Sequence, residues 1–328
     1  MSDRYSRQIL VPQIGTQGQQ QIAAARVLLV GAGGLGCQVG SQLVGAGVGA
    51  LTIVDHDRVS LSNLHRQFLF RESDLGSNKA TAAARELQAR NSAVEIAAVT
   101  HRLSPENVAE LVQNADLVVD AGDNFAVSYL LSDACEGNTA MISASVNRSF
   151  GYVGVFCSPG KFSAPSLRAV FPKLPRQSQS CDVVGVTGPA VGIIGSFQAQ
   201  ECLKVLCNDA AQLNGQLLYL DLWNYSQQIV NCRAASTPQS RVELIGTQAL
   251  EESDLVVDVR NADEVAARPQ PFRVDRALPL SQLLAEPELS DSRVVCCCQS
   301  GQRALIAAQA LLDAGQHQVA AMLPADEE

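Results

Sequence analysis

Long apolar runs are scarce in this chain of 328 residues. No window approaches the ~18 uninterrupted apolar residues of a membrane-spanning helix. The most apolar stretch, 181–206, is punctuated by Gly185, Gly188, Pro189, Gly192 and Gly195. Residues Met1 to Arg7 are polar and lack the apolar segment of a secretory signal. Basic clusters are missing as well. With 24 Lys and Arg against 33 Asp and Glu, the net charge is −9, and no stripe suited to nucleic acid exists. The 10 cysteines show no framework spacing, which excludes a disulfide scaffold and points to free thiols in a reducing cytoplasm. What remains is an ordinary globular composition, 47% hydrophobic and 17% charged, long enough for one large domain and a small one.

The organisation follows from periodicity. Residues 1–25 read as a helical approach with Ile9, Leu10, Ile14 and Ile22 among polar positions. Ala25 to Val30 is a short apolar run ending in glycines, the pattern of a buried parallel strand. A helix over 36–48 and a strand over 50–54 complete a βαβ unit. The alternation continues with a helix at 79–91, a strand at 94–99, a helix at 105–113 and a strand at 115–120. It predicts an α/β fold, a Rossmann-like and mostly parallel sheet with helices on both faces. Beyond Asp123 the strands at 141–146 and 151–156 suggest a more mixed sheet. Residues 158–180 read as a mobile loop, 188–206 as a helix and 215–230 as a hairpin. The small-residue stretch 236–240 suits a linker. It divides a domain at 1–235 from a second, smaller α/β domain at 241–328, with strands at 255–259 and 293–297 and a helix at 303–314.

Gly31-Ala32-Gly33-Gly34-Leu35-Gly36 is a G-x-G-x-x-G between strand and helix. Glycines there admit phosphate oxygens close to the backbone, and N–H groups at the helix start face negative charge. Asp55 ends the next strand, where a carboxylate can accept ribose hydroxyls. These features indicate a nucleotide without choosing between NAD, FAD and ATP. The choice comes from the segment after Asp55, which carries Asn63, Arg66 and Gln67 and is followed by Lys79. A nicotinamide-dependent oxidoreductase, the alternative reading, needs no such cluster. Stabilising a pentavalent α-phosphate does need cations and amide donors aimed at developing charge. Asp123-Asn124 adds a carboxylate and an amide past the strand at 115–120. A non-catalytic module that captures nucleotide and carrier is a third reading.

In this order the residues resemble the ThiF/MoeB/HesA family, prokaryotic relatives of ubiquitin-activating enzymes, across roughly residues 3–232. The resemblance rests on Arg4-Tyr5-Ser6-Arg7-Gln8, the glycine loop, Asp55-x-Asp57, Ser62-Asn63-Leu64-x-Arg66-Gln67, Lys79, Gly122-Asp123-Asn124 and Gly188-Pro189-x-x-Gly192-x-x-Gly195-Ser196. It implies that ATP adenylates the C-terminal carboxylate of a ubiquitin-like sulfur-carrier protein. Gly34 and Asp55 would hold adenosine, while Asn63, Arg66 and Lys79 would contact the triphosphate. Asp123 would bind Mg²⁺, and Gln67 would support the constellation. Arg7 would reach into a partner subunit's site, implying a homodimer. The carrier's pathway, thiamine or molybdopterin, is left open.

The thiols divide by position. Cys181 stands where the family's cysteine can link covalently to the carrier, with a buried apolar cysteine as the other reading. Cys37, Cys135, Cys202 and Cys207 fall inside predicted helices and read as core. Cys298-Gln299-Ser300-Gly301-Gln302-Arg303 resembles the rhodanese active-site loop, with Asp258-Val259-Arg260 upstream. Cys298 would then carry sulfane sulfur supplied by a cysteine desulfurase. Cys296 and Cys297 read as buried. The tail lacks the rhodanese Gly-His-Ile segment and Gly-Gly end, so a docking or structural remnant is the alternative. Relatives usually hold zinc on two C-x-x-C pairs. Here Ser166 to Ala169 replace the first pair and only Cys232 stands near the second, so no zinc site is expected.

Overall fold

A computed structural model of the chain describes residues 3–174 and 185–324. Eight strands form the larger sheet: β1 Arg26–Val30, β2 Ala50–Val54, β3 Glu95–Val99, β4 Leu117–Asp120, β5 Met141–Asn147, β6 Phe150–Phe156, β7 Gln216–Asp221 and β8 Ser226–Asn231. Their order is β3-β2-β1-β4-β5-β6-β7-β8. The first five pair in parallel, and β5 through β8 are antiparallel. The parallel strands are linked by crossover helices, whereas β5–β6 and β7–β8 are hairpins that need only a few connecting residues. Strand order reverses between β1 and β4, and their carboxyl ends frame a crevice there.

The sheet separates two apolar layers. Val27 and Leu29 of β1 face one cluster, and Leu28 and Val30 face the other, as a period of two requires. α1 Gly15–Ala24 packs on the long helix at 188–206, and the first layer is closed by α2 Gly34–Ala46, α3 Lys79–Arg90 and that long helix, α6 Gly188–Leu206. The second is closed by α4 Val108–Gln113 and α5 Phe125–Cys135. α5 lies after Asp123, where the periodicity gives no helix bounds although Cys135 reads as a helix position. Its alternating apolar and serine positions hide a helix whose buried face is wide.

Beyond residue 240 a second sheet contains β9 Glu243–Ile245, β10 Leu255–Asp258, β11 Arg276–Ala277, β12 Val294–Cys297 and β13 Val319–Met322. The order is β11-β10-β12-β13-β9, parallel throughout. α7 Gln302–Asp313 covers one side. Leu283, Leu305, Ala308 and Leu311 of this C-terminal unit share one continuous cluster with Val108, Leu130 and Leu131 of the larger unit. The two sheets therefore share packed apolar surface.

The described part of the segment read as a loop, 158–174, contains a helical turn at Leu167–Val170 capped by Ser166. Arg168 is buried and donates two bonds to Asp133 on α5, at 2.7 and 2.9 Å. Its guanidinium also lies 4.4 Å from the centre of the Tyr129 ring. Arg241 adds contacts at 3.4 Å to Asp133 and Glu136. Ion pairing thus ties this segment to α5. Among the described residues, the grouping of three His, Cys, Asp or Glu side chains close enough to share a cation is Asp55, His56 and Asp57, remote in sequence from Cys232.

Candidate nucleotide site

The glycine loop is shaped by one close approach. A Cβ on Gly36 would lie 1.8 Å from the Gly31 carbonyl oxygen, so α2 can meet the loop only with glycine there. Gly31 itself has φ of +95°, in the left-handed region. Asp55 anchors the turn from the neighbouring strand: Oδ2 accepts the Ala32 N–H at 2.7 Å and Oδ1 the Asp57 N–H at 2.8 Å. Burial pushes the Asp55 carboxyl above its ordinary range, opposed by the nearby Lys79 charge and those two N–H donors.

A cavity of about 760 Å³ opens at the carboxyl ends of β1, β2, β4 and β5. Gly31, Gly33, Gly34, Asp55, Asn63, Arg66, Gln67, Lys79, Asp123 and Asn124 all line it. These sequence-selected residues come from segments nearly a hundred positions apart. Gly36 does not line the cavity; it is the packing point beneath the loop. Lys79 is nearly buried and donates to Asp57 Oδ2 at 2.9 Å. Burial alone would raise the Asp57 carboxyl, but the Lys79 charge and hydrogen bond hold it below the usual carboxylate range. Gln67 is buried with Oε1 unpartnered, and its amide nitrogen is the nearest group to a Cβ placed on Gly33. Arg66 donates to the Ser62 carbonyl at 3.0 Å, and Asn63 accepts the Ser60 N–H at 3.3 Å. The local 3₁₀ turn over Leu61–Asn63 thus presents both side chains toward one wall.

Arg7 is elsewhere in its own chain. Its neighbours Tyr5 and Gln8 bond to Asn91 and to the Ala46 carbonyl, at the end of α2 that points away from the glycine loop. Arg7 is exposed there and is absent from the cavity lining. Cys181 lies outside the described residues. Of the helix cysteines, Cys37, Cys135 and Cys202 are buried as expected, whereas Cys207 is half-buried and stands one residue past α6 as its C-cap. Cys296 and Cys297 are buried on β12.

In the C-terminal loop Cys298 is 3% exposed, and its Sγ accepts the Ala304 N–H at 3.4 Å. Arg303, the last residue of that loop motif, donates two 2.7 Å bonds to Glu264. That pairing, the first cause, holds the Glu264 carboxyl down at about 2. Asp258 and Arg260 form a buried ion pair at 2.7 Å.

The sequence reading passed over a buried layer behind the cavity. Asp120 accepts the Ser143 hydroxyl at 2.7 Å, and burial raises its carboxyl above the usual range. Gln198 of α6 donates to the Asp120 and Ile142 carbonyls at 2.7 and 3.2 Å, tying the ends of β4 and β5 together. Asp120-x-x-Asp123 shows a second carboxylate at the same strand end but neither its burial nor its partners. A neighbouring cavity of about 630 Å³ shares Ser145, Asn147 and Tyr152 with the first and runs along β6–β8 past Phe150 and Tyr219.

Residues 5–242 match the ThiF family. The chain belongs to the ThiF family. This ThiF-family chain is 42% identical over 224 residues to the sulfur carrier protein adenylyltransferase of Thermus thermophilus, covering 67% of this chain and 83% of that protein. It is 42% identical over 221 residues to the adenylyltransferase and sulfurtransferase MOCS3 of Mus musculus, covering 66% of this chain and 47% of that protein. The counterpart from Caenorhabditis briggsae is 41% identical over 222 residues, covering 66% and 54%. The match thus spans about half the length of the MOCS3 relatives. In fold, the ThiF-family chain is similar to Escherichia coli MccB solved with ATP, at TM-score 0.63 and 22% identity, covering 72% of this chain and 74% of that one. PaaA gives TM-score 0.61 at 22% identity, covering 71% and 75%. Among the described residues no helix is long and apolar enough to cross a membrane.

Proposed function

We propose that this chain uses ATP to adenylate the C-terminal glycine carboxylate of a ubiquitin-like sulfur-carrier protein. One observation carries the reading: a glycine loop, a ribose-height carboxylate, Asn63, Arg66, Gln67, Lys79 and Asp123 converge on one cavity. The relatives' names, which specify adenylyltransferases and, in one case, a sulfur carrier, support it. Asp55 holds the ribose, and the loop N–H groups face the phosphates. The carrier carboxylate oxygen attacks the α-phosphorus. The bond from that phosphorus to the bridging oxygen breaks, and pyrophosphate leaves with the electron pair. Asn63, Arg66 and Lys79 counter the charge that develops, with Gln67 supporting them.

Asp123 is the residue that would hold Mg²⁺. Asp123 is exposed on the cavity lining, and one carboxylate so placed fits an ion that keeps water and phosphate oxygens as its other ligands. Such an ion supplies charge neutralisation of the phosphates. The second cavity, running from the nucleotide site along β6–β8, suits an extended carrier tail, with Trp223 and Tyr225 exposed beside it. Arg7 acts in the site of a second copy, consistent with its position far from the cavity of its own chain. Residues 1–235 form the adenylating domain, and 241–328 a rhodanese-like domain joined by a linker at 236–240. A Cys298 persulfide, loaded by a cysteine desulfurase, attacks the acyl carbon and expels AMP. The Cys181 thiolate then attacks the Cys298 sulfur of that acyl disulfide, forming a Cys181–Cys298 disulfide as the thiocarboxylate leaves with the electron pair. The setting is cytoplasmic, and the product feeds thiamine or molybdopterin formation.

Carrier-dependent ATP–pyrophosphate exchange tests this reading, with intact mass measured on each ubiquitin-like carrier of the same cell. A carrier mass raised by an adenylate supports it. Absence of exchange with all of them sinks it.

A further inference from the structure

The C-terminal loop that bears Cys298 reaches the nucleotide cavity. Gln302, first residue of α7, lines it beside Asn124 and Phe125. Its Oε1 accepts the Phe125 N–H at 3.1 Å, and the Ser300 carbonyl accepts Asn124 Nδ2 at 2.7 Å. Between them Gly301, at φ +79°, packs against α5: a Cβ on it would lie 3.6 Å from the Ala126 Cβ.

These bonds fall on one element. A helix begins with N–H groups that have no partner within the helix. In α5 the Asn124 side chain takes one of them, Ala126 N–H, at 2.9 Å. The next, Phe125 N–H, is taken by Gln302 from the other unit. Asn124 is itself gripped through its amide nitrogen, so both capping bonds at the α5 N-terminus depend on the C-terminal loop. Asp123 is the residue directly before Asn124. Its carboxylate can therefore be no better placed than this cap.

We propose that Gln302 is a positioning residue of the nucleotide site, fixing the Asp123–Asn124 turn from the C-terminal unit. The proposal rests on the adenylation reading and deepens it: the C-terminal unit serves the first reaction through Gln302, independently of any sulfur chemistry at Cys298. The placement follows from sequence and packing together. Gln302 sits at the left-handed Gly301 corner, and the shared apolar cluster with Leu305, Ala308 and Leu311 holds α7 against α5.

The test uses the full chain as Gln302→Ala and Gln302→Glu. Two readouts are needed: hydrogen exchange of the amides at 123–127, and direct titration with a fluorescent ATP analogue plus Mg²⁺. Gln302→Ala should speed exchange of the Phe125 amide and weaken nucleotide binding about fivefold, with Tm lowered by about 4 °C at most for the lost hydrogen bond. Gln302→Glu retains an acceptor and should restore the amide's protection. Two results would overturn the proposal: nucleotide binding within twofold of wild type in Gln302→Ala, or faster exchange spread evenly over both units. Wild-type chain that binds no ATP overturns the adenylation reading and this role with it. Wild type that binds ATP, with Gln302→Ala unchanged, overturns this role alone.

Discussion

Lys79 Nζ donates to Asp57 Oδ2 at 2.9 Å, so the cation at the start of α3 is held by a carboxylate two residues beyond the ribose-height Asp55. A nearly buried ammonium held in an ion pair at the cavity wall is ready to meet phosphate without reorganising. Replacing Lys79 by Ala should lower carrier-dependent exchange about a hundredfold or more. Replacing Asp57 by Asn should weaken it less, since the cation stays. Equal losses in the two variants would show that the pair acts as a structural unit only.

Asp123→Ala should abolish exchange, to below about one hundredth of wild type, while ATP still binds about tenfold more weakly for want of the Mg²⁺ ligand. Equilibrium titration beside the exchange assay separates the two effects. Loss of ATP binding to the same degree would assign Asp123 to ground-state affinity instead of to the reaction.

If Arg7 serves the site of a second copy, two inactive variants can complement. Mixing Arg7→Ala with Asp123→Ala chains at equal amounts should recover about a quarter of wild-type activity, because half of the pairs are mixed and each holds one intact site. Activity that stays at the level of the separate variants would place Arg7 outside the reaction.

The Arg168–Asp133 fork ties the 158–174 segment to α5 in the region where relatives would place zinc. Arg168→Ala leaves Asp133 without its buried partner and should cost about 3 kcal/mol, read as a clear fall in Tm. A strong chelator should leave the wild-type Tm unchanged. A drop on chelation would reveal a structural metal.

The Glu264–Arg303 pair predicts a pH effect. The Glu264 carboxyl is held at about 2 in the folded chain, below its unfolded range. Its contribution is therefore fully present above about pH 5 and is lost as pH falls through the folded value. After allowance for solvent screening it should be about 1 kcal/mol. Thermal melts of wild type and Glu264→Gln should differ at pH 6 and converge toward pH 2. A constant difference across that window would contradict the assignment.

The amino-acid order alone determined the parallel βαβ succession, the glycine loop and the chemical kinds that follow it, because these depend on local periodicity and on residues near one another in the chain. Which residues share a wall was decided by folding. Asp55, Lys79 and Asp123 meet only because β1 and β4 are neighbours, and that adjacency depends on how helices pack across the sheet. The same holds for Arg7, which the fold carries to the far end of α2, and for Arg303, which pairs with Glu264. The Asp120 layer and the Gln302 contact escaped the sequence for one reason: a buried hydrogen bond between segments distant in the chain leaves no periodic trace. Only burial makes such a bond necessary, and burial is a property of the assembled fold.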